Sequence, residues 1–219
     1  MENWTHPTGK IPEKIAIVAL GPSQNDYVQA MLSTGLLIDF DEVWTVNHGM
    51  RLYKHDLAFD CHDYRYLAGV FQEQSKQDAY HKKMVSDSGK PVVMLEPWPD
   101  LENAKKFPLE WILRRVGGDN LYFNNTIAYM LAYATAHYIE HKKKKAFKDV
   151  SIFGADFDYP GHPHTEAGRG CTEFWVGFGR ALKMDIRVCS GSTLTDAKLG
   201  RPLYGYIFAP PLQLKKQKA

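Results

Sequence analysis

Cysteine is scarce in this chain. Its three residues, Cys61, Cys171 and Cys189, are odd in number and scattered over 219 positions. That excludes a disulfide framework and points to a reducing cytoplasm. Long apolar runs are missing too. Nothing approaches the roughly 20 residues of a membrane span, and the opening Met1-Glu-Asn-Trp-Thr-His6 has no basic-plus-apolar signal pattern, so neither a span nor a leader is expected. Charge of one sign is also lacking, with 27 Lys+Arg against 25 Asp+Glu and a net charge of +2. A chain-wide electrostatic footprint for nucleic acid is therefore absent. Basic residues cluster only at Lys142–Lys145 and in Lys215–Lys218, where a helix end and a frayed tail would also put them. No repeat or low-complexity tract is present beyond the Lys run.

What is there is an ordinary globular composition, 44% hydrophobic and 24% charged, of a length that suits one domain over 1–219. Short apolar runs recur at Ile15–Leu20, Glu42–Val46, Leu57–Phe59, Pro91–Leu95, Val150–Phe153, Ile186–Cys189 and Tyr204–Phe208. They read as strands buried on both faces of a mostly parallel sheet. Helical patterns fall between them at Asp26–Leu37, Tyr66–Ser86, Thr126–His141 and Cys171–Lys183. This alternation predicts an α/β, doubly wound, Rossmann-like domain, with ligands at the carboxyl ends of the strands. The stretch 76–119 is dense in breakers (Glu96-Pro-Trp-Pro-Asp, Phe107-Pro, Gly117-Gly-Asp) and reads as an irregular insertion.

Three constellations could carry chemistry. Lys14-Ile-Ala-Ile-Val-Ala-Leu-Gly-Pro-Ser23 reads as strand, turn and helix start. Gly21 suits an unusual backbone conformation, Pro22 fixes its own φ, and Ser23 suits a helix cap or a donor to a ligand oxygen. Such a turn is a natural anion site or simply a βα turn. Trp44-Thr-Val-Asn47 ends a strand in a residue that suits a base edge, a ribose hydroxyl or an ordinary turn. Ile152-Phe-Gly154-Ala-Asp156-Phe-Asp158-Tyr159-Pro-Gly-His162-Pro-His164-Thr-Glu166 runs a strand into carboxylates, imidazoles and a phenol, the material of acid–base chemistry or of a polar loop. Leu121-Tyr-Phe-Asn124-Asn125-Thr126 adds a capped helix start. Cys171, near a helix start, would have a lowered pKa there, but no partner is evident. Trp98, Trp111 and Trp175 read as exposed aromatics.

In this order, these residues resemble the bacterial single-domain sialyltransferases with a Rossmann-like fold. They are equally similar to the related hydroxymethylpterin-diphosphokinase-like proteins, including uncharacterised members from tailed phages. The resemblance carries Gly-Pro-Ser, Val-Asn, Asn-Asn-Thr, Phe-Gly-Ala-Asp-Phe, Asp-Ile-Arg-Val and Gly-Ser-Thr-Leu, spanning Lys14 to Leu194. It implies that Gly21, Pro22, Ser23 and Asn47 hold the nucleotide of a nucleotide-sugar, with Asn124, Asn125 and Thr126 beside it. It implies His164 as general base, His162 as the alternative, and Tyr159 for the leaving phosphate. The chain departs from the pattern at Leu20 and Gln24, where the family has a polar residue and a Leu, and in the spacing around Tyr159.

The expected function is therefore nucleotide-dependent transfer, foremost glycosyl transfer from a nucleotide-activated sugar donor to an acceptor hydroxyl. Asp156 would position the site, His164 would act as base, and no cofactor would be needed. The acceptor could be a saccharide, a lipid, a modified nucleic-acid base or a small molecule. The alternative enzyme is an ATP diphosphotransferase with Mg²⁺ on Asp156 and Asp158. The alternative outside enzymes is a nucleotide- or nucleic-acid-binding module. The cytoplasm is the expected location, that of the host if a phage carries the gene.

Overall fold

Ile15, Ala16, Ile17 and Val18 are all fully buried, which puts their strand, β1 (Lys14–Val18), at the centre of the molecule. The computed structural model describes residues 4–33, 39–62, 74–118, 122–141, 146–157 and 163–195, except for the side chains of 33, 74–78 and 163–166. The other strands are β2 (Glu42–Val46), β3 (Leu57–Asp60), β4 (Val92–Met94), β5 (Ala104–Lys106), β6 (Asp149–Phe153) and β7 (Asp185–Val188). They form a seven-stranded sheet in the order β5-β4-β3-β2-β1-β6-β7, and every pairing is parallel. This is the expected Rossmann-like α/β architecture. The helices are α1 (Gln24–Ser33), α2 (Gln74–Asp87), α3 (Leu109–Val116), α4 (Thr126–Glu140) and α5 (Pro163–Ala181), with a 3₁₀ turn at Asn47–Arg51.

The chain walks outward from β1 to β5, and α4 then carries it back to lay β6 beside β1. Because α4 returns to the amino ends of the strands, its own N-terminus lies at the carboxyl edge. Alternation in β1 splits its side chains between two cores. Ile15 and Ile17 join the α4 face, while Ala16 and Val18 join Tyr27 on the α1 face. From Ile127 to Tyr138, α4 is buried nearly all round, because it lies between the sheet, α3 and α5. Its small residues Ala128, Ala132, Ala134 and Ala136 permit that close approach.

Several expectations change. The segment 76–119 keeps its turns, yet it supplies β4, β5 and α3, so it extends the sheet edge. Helix α5 begins at Pro163 and not at Cys171. Its glycines mark close packing rather than a loop: a Cβ on Gly168 would sit 3.1 Å from the Phe157 ring, and one on Gly170 would sit 2.7 Å from Tyr122 Oη. Trp111 and Trp175 are core residues, not exposed aromatics, and Trp175 is fully buried. Among the described residues, no helix is long and apolar enough to cross a membrane. The expected strand Tyr204–Phe208, the Lys142–Lys145 run and the basic tail lie outside the described residues.

At the amino edge, a segment from Trp4 to Gly9 lies against the sheet. His6 Nε2 meets Glu42 at 2.9 Å and its Nδ1 meets Tyr133 Oη at 2.8 Å. Trp44 Nε1 donates to the same Glu42 carboxylate at 2.8 Å. Burial opposes ionisation of Glu42, but the hydrogen bonds from His6, Thr8 and Trp44 outweigh it and hold the carboxyl below its ordinary value.

Candidate functional site

The carboxyl edge of the sheet holds two polar constellations. The first joins the turn after β1 to the turn after β6. Gly21 N–H donates to Gly154 C=O at 2.8 Å, and Ser23 N–H donates to Asp156 Oδ2 at 2.6 Å. In return, Gly154 N–H donates to the Ser23 hydroxyl oxygen at 3.1 Å. The other Asp156 oxygen accepts from Thr193 N–H at 3.0 Å, and Thr193 Oγ1 accepts from Phe157 N–H at 2.8 Å. Gly-Pro-Ser and Gly-Ala-Asp-Phe are thus brought together as a clasp.

Gly21 is needed there for proximity rather than for a left-handed backbone, because a Cβ would stand 2.5 Å from Asp156 Oδ2. The left-handed residue is its partner Gly154, at φ +70°. The amides of Gly21 and Ser23, expected to cradle a phosphate, donate inside the protein. Asp156, expected to position the site, positions this turn. Pro22 is exposed above it.

The second constellation is open. A cleft of about 320 Å³ is lined by Cys61, His62, Phe123, Asn124, Asn125, Thr126 and Tyr129. It lies between the end of β3 and the first turn of α4. Asn125 builds its rim: its Oδ1 caps α4 by accepting from Ala128 N–H at 2.9 Å. Its Nδ2 donates to Gly168 C=O at 2.7 Å and to Thr172 Oγ1 at 2.8 Å, fastening α5 behind. The backbone N–H of Asn124 points to Cys171 Sγ at 3.3 Å. Cys171 is therefore a packing residue, its thiol pushed up by burial rather than lowered.

Across the cleft, Asp60 closes β3 with its side chain fully buried and holds His62 Nδ1 at 2.7 Å. That hydrogen bond raises the His62 pKa above its ordinary value, outweighing burial. Burial and the Asp60 charge push the Cys61 thiol well up, and burial takes the Tyr129 phenol up to about 12. The sequence reading missed this pair, because the apolar run Leu57–Phe59 stops one residue short of Asp60. The available signal was Asp-x-His at the end of a buried strand, where alternate residues share a side.

No family model, curated protein or solved structure matches this chain.

The remaining expected residues fall as follows. Asn47 follows β2 and opens the 3₁₀ turn in a left-handed backbone, φ +46°, and its buried Oδ1 has no hydrogen-bond partner among the described residues. A strained polar residue with an idle acceptor suits a ligand donor. Tyr159 and His162, like Asp158, lie outside the described residues. His164 stands in the first turn of α5, and only its backbone is described. The clasp and the cleft share the carboxyl edge, but only Asn124, Asn125 and Thr126 of the expected residues line the cleft.

Proposed function

We propose that this protein is a nucleotide-dependent transferase, foremost a glycosyltransferase that moves a sugar from a nucleotide-activated donor to an acceptor hydroxyl. One observation carries the reading: a ligand-sized cleft opens at the carboxyl edge of a parallel sheet, against the capped N-terminus of the buried crossover helix α4. Sheets of this kind bind ligands at that edge. The first-turn amides of a helix have no intrahelical partners and lie at the positive end of its dipole. In this reading the segment Asn124–Thr126 holds phosphate and ribose, and the idle Asn47 acceptor takes a donor from base or sugar. His164 deprotonates the acceptor hydroxyl, with His162 or Tyr159 beside the leaving nucleotide. The Gly21–Ser23 turn supports the site as scaffold.

The alternative diphosphoryl transfer would place Mg²⁺ on Asp156 and Asp158. Both oxygens of the buried Asp156 already accept backbone N–H groups, which favours the glycosyl reading. The test is a thermal-shift panel of CMP, UMP, GDP, ADP, ATP and their sugar conjugates, each with and without Mg²⁺. A ligand at a hundred times its Kd adds about 2.7 kcal/mol of stability. A metal-independent shift with one nucleotide and its sugar conjugate is expected. A shift with ATP only when Mg²⁺ is present would replace this reading with diphosphoryl transfer, and silence across the panel would remove it.

A further inference from the structure

Residues 4–11, at the amino edge of the sheet, are held to the protein by side chains. Among the described residues, none of their backbone groups hydrogen-bonds outside the segment. The first backbone tie is Pro12 C=O, which accepts from Phe147 N–H at 2.6 Å. Four side-chain bonds converge instead on Tyr133 and Glu42. Trp4 Nε1 donates to Tyr133 Oη at 3.2 Å, and His6 Nδ1 meets the same oxygen at 2.8 Å. His6 Nε2 and the Thr8 hydroxyl both reach the Glu42 carboxylate. Of this segment only His6 is buried, while Gly9, Lys10 and Ile11 are exposed. A segment pinned at two points, with little apolar burial, belongs to the low end of local stability.

Beneath it lies His137. Its ring is 2% exposed and meets His6 edge to face at 5.5 Å. It is otherwise packed by Trp111 from α3, Tyr133 and His141 from α4, and Phe147 ahead of β6. Neither of its nitrogens has a hydrogen-bond partner among the described residues. The titratable and charged groups around it on these elements are His6, Tyr133, His141 and Arg115, with Glu42 behind His6 and Glu140 on Arg115. Burial, with the cationic neighbours adding to it, keeps a proton off this imidazole down to about pH 2. Of the rings that enclose it, only His6 rides on a segment without backbone anchorage.

We propose that residues 4–11 form a proton-operated strap, closed over His137 while that imidazole is neutral and lifted when it takes up a proton. Lifting withdraws His6 from the aromatic box and lets water reach the His137 nitrogens. The proton comes from solvent and returns there on closing. The open form binds it at the ordinary value near 6.5 and the closed form does not. The open population is therefore level above that pH and grows about ten-fold for each unit below it. Lifting also bares Glu42 and the Trp44 indole that donates to it, a carboxylate beside aromatic surface on the edge opposite the cleft.

The test follows exchange of the indole N–H protons by NMR in ¹⁵N-tryptophan-labelled protein at pH 7, 6 and 5. Each rate is divided by that of free indole at the same pH. Trp44 Nε1, bound to Glu42 beneath the strap, follows its opening. Trp175 Nε1, bound to Tyr122 C=O at 3.0 Å against α5, is the reference for unfolding of the core. Trp44 is expected to be less protected than Trp175 and to exchange through an opening insensitive to low urea. From pH 7 to 5 its protection falls about twenty-fold further in the wild type than in His137→Phe. Contributions from other groups, His6 among them, are common to both proteins and cancel. His137→Leu takes the place of His137→Phe should that variant not fold. Thr8→Ala, which removes one bond to Glu42, raises opening about ten-fold at all three pH values and keeps the slope. Equal protection and equal urea sensitivity of Trp44 and Trp175 would mean that the strap leaves only when the whole protein unfolds. Equal pH profiles in the wild type and the His137 variant would mean that His137 does not operate it. Either result, or unchanged Trp44 exchange in Thr8→Ala, would overturn the proposal.

Discussion

The clasp and the cleft occupy the same edge of the same sheet and draw on similar residues: a carboxylate at or beyond a strand end, helix-start amides, and small polar side chains. They use them in opposite ways. In the clasp, Asp156 faces inward and accepts from Ser23 and Thr193, so the anion that satisfies the β1 turn belongs to the protein. In the cleft, Asp60 is also buried, but it holds an imidazole that lines the cavity. An internal anion satisfied by backbone amides makes a scaffold, whereas one paired with a titratable ring leaves a charge-bearing group at the cavity wall. Residue type alone does not separate the two.

The comparison breaks most sharply at Gly21. Gly21→Ala drives a Cβ to 2.5 Å from Asp156 Oδ2 and 2.6 Å from Gly154 C=O, against groups that cannot yield without opening the clasp. A destabilisation of about 3 kcal/mol is expected, which for a chain of this size lowers Tm by about 6–12 °C. Asp156→Asn puts an amide where two N–H donors need an acceptor and costs about 2–3 kcal/mol. Any ligand-induced rise in Tm persists in both variants, because neither touches the cleft. A calorimetric scan with and without ligand decides it, and loss of the ligand response at unchanged stability would make the clasp the binding site.

Asn125 tests the border between the two regions, since it lines the cleft but acts as structure. Asn125→Ala removes the α4 cap and the ties to Gly168 and Thr172. About 2 kcal/mol is expected, a cap of about 1 kcal/mol plus the hydrogen bonds lost behind it. Chemical denaturation checks this. A loss well under 1 kcal/mol would mean that α4 is positioned by its buried face alone.

Two histidines on opposite faces of this comparison sharpen it further. His137, on α4, is buried among Trp111, Tyr133 and Phe147, with ring centroids at 4.7, 4.6 and 4.7 Å, and neither ring nitrogen has a hydrogen-bond partner among the described residues. Burial, reinforced by the nearby His6, His141 and Arg115, pulls its pKa down to about 2. The unfolded chain takes up this proton near pH 6.5 and the folded one does not, so stability is full above pH 6.5 and falls steadily below it. His137→Phe removes two unsatisfied polar atoms and is expected to stabilise by about 1 kcal/mol at pH 7. That advantage grows by about 2 kcal/mol at pH 5. Parallel stability curves for the two proteins from pH 7 to 5 would show that His137 does not carry the acid sensitivity.

The fold was legible because its signals are local and repeated. Apolar runs of strand length alternate with helical patterns, and Asn125 before Thr126 is a cap that needs no tertiary partner. The site was legible only in part. Gly-Pro-Ser and Ala-Asp-Phe announce themselves as a pair of turns, but nothing along the chain says that Asp156 reaches back to Ser23 and closes the pocket those turns suggest. Asp60-Cys61-His62 reads as a polar strand end until the sheet buries Asp60 and α4 brings Asn124–Thr126 opposite. Long-range partnership decides which polar cluster is idle and which is engaged, and sequence periodicity carries no term for it.

The smallest stability effect is expected at the wall of the cleft. His62 gains its raised pKa from Asp60 at a half-exposed position. Its contribution is fully present below pH 6.5, where folded and unfolded chains both hold the proton, and is lost as pH rises through the folded value. That direction is opposite to His137, and solvent screening keeps it small. His62→Gln is therefore expected to change stability by less than about 0.5 kcal/mol at pH 7. Its denaturation midpoint should match the wild type at pH 8 and fall slightly below it at pH 6. A loss of several kcal/mol would show that the imidazole braces the end of β3 as Asp156 braces the end of β6, and would make the cleft a second clasp.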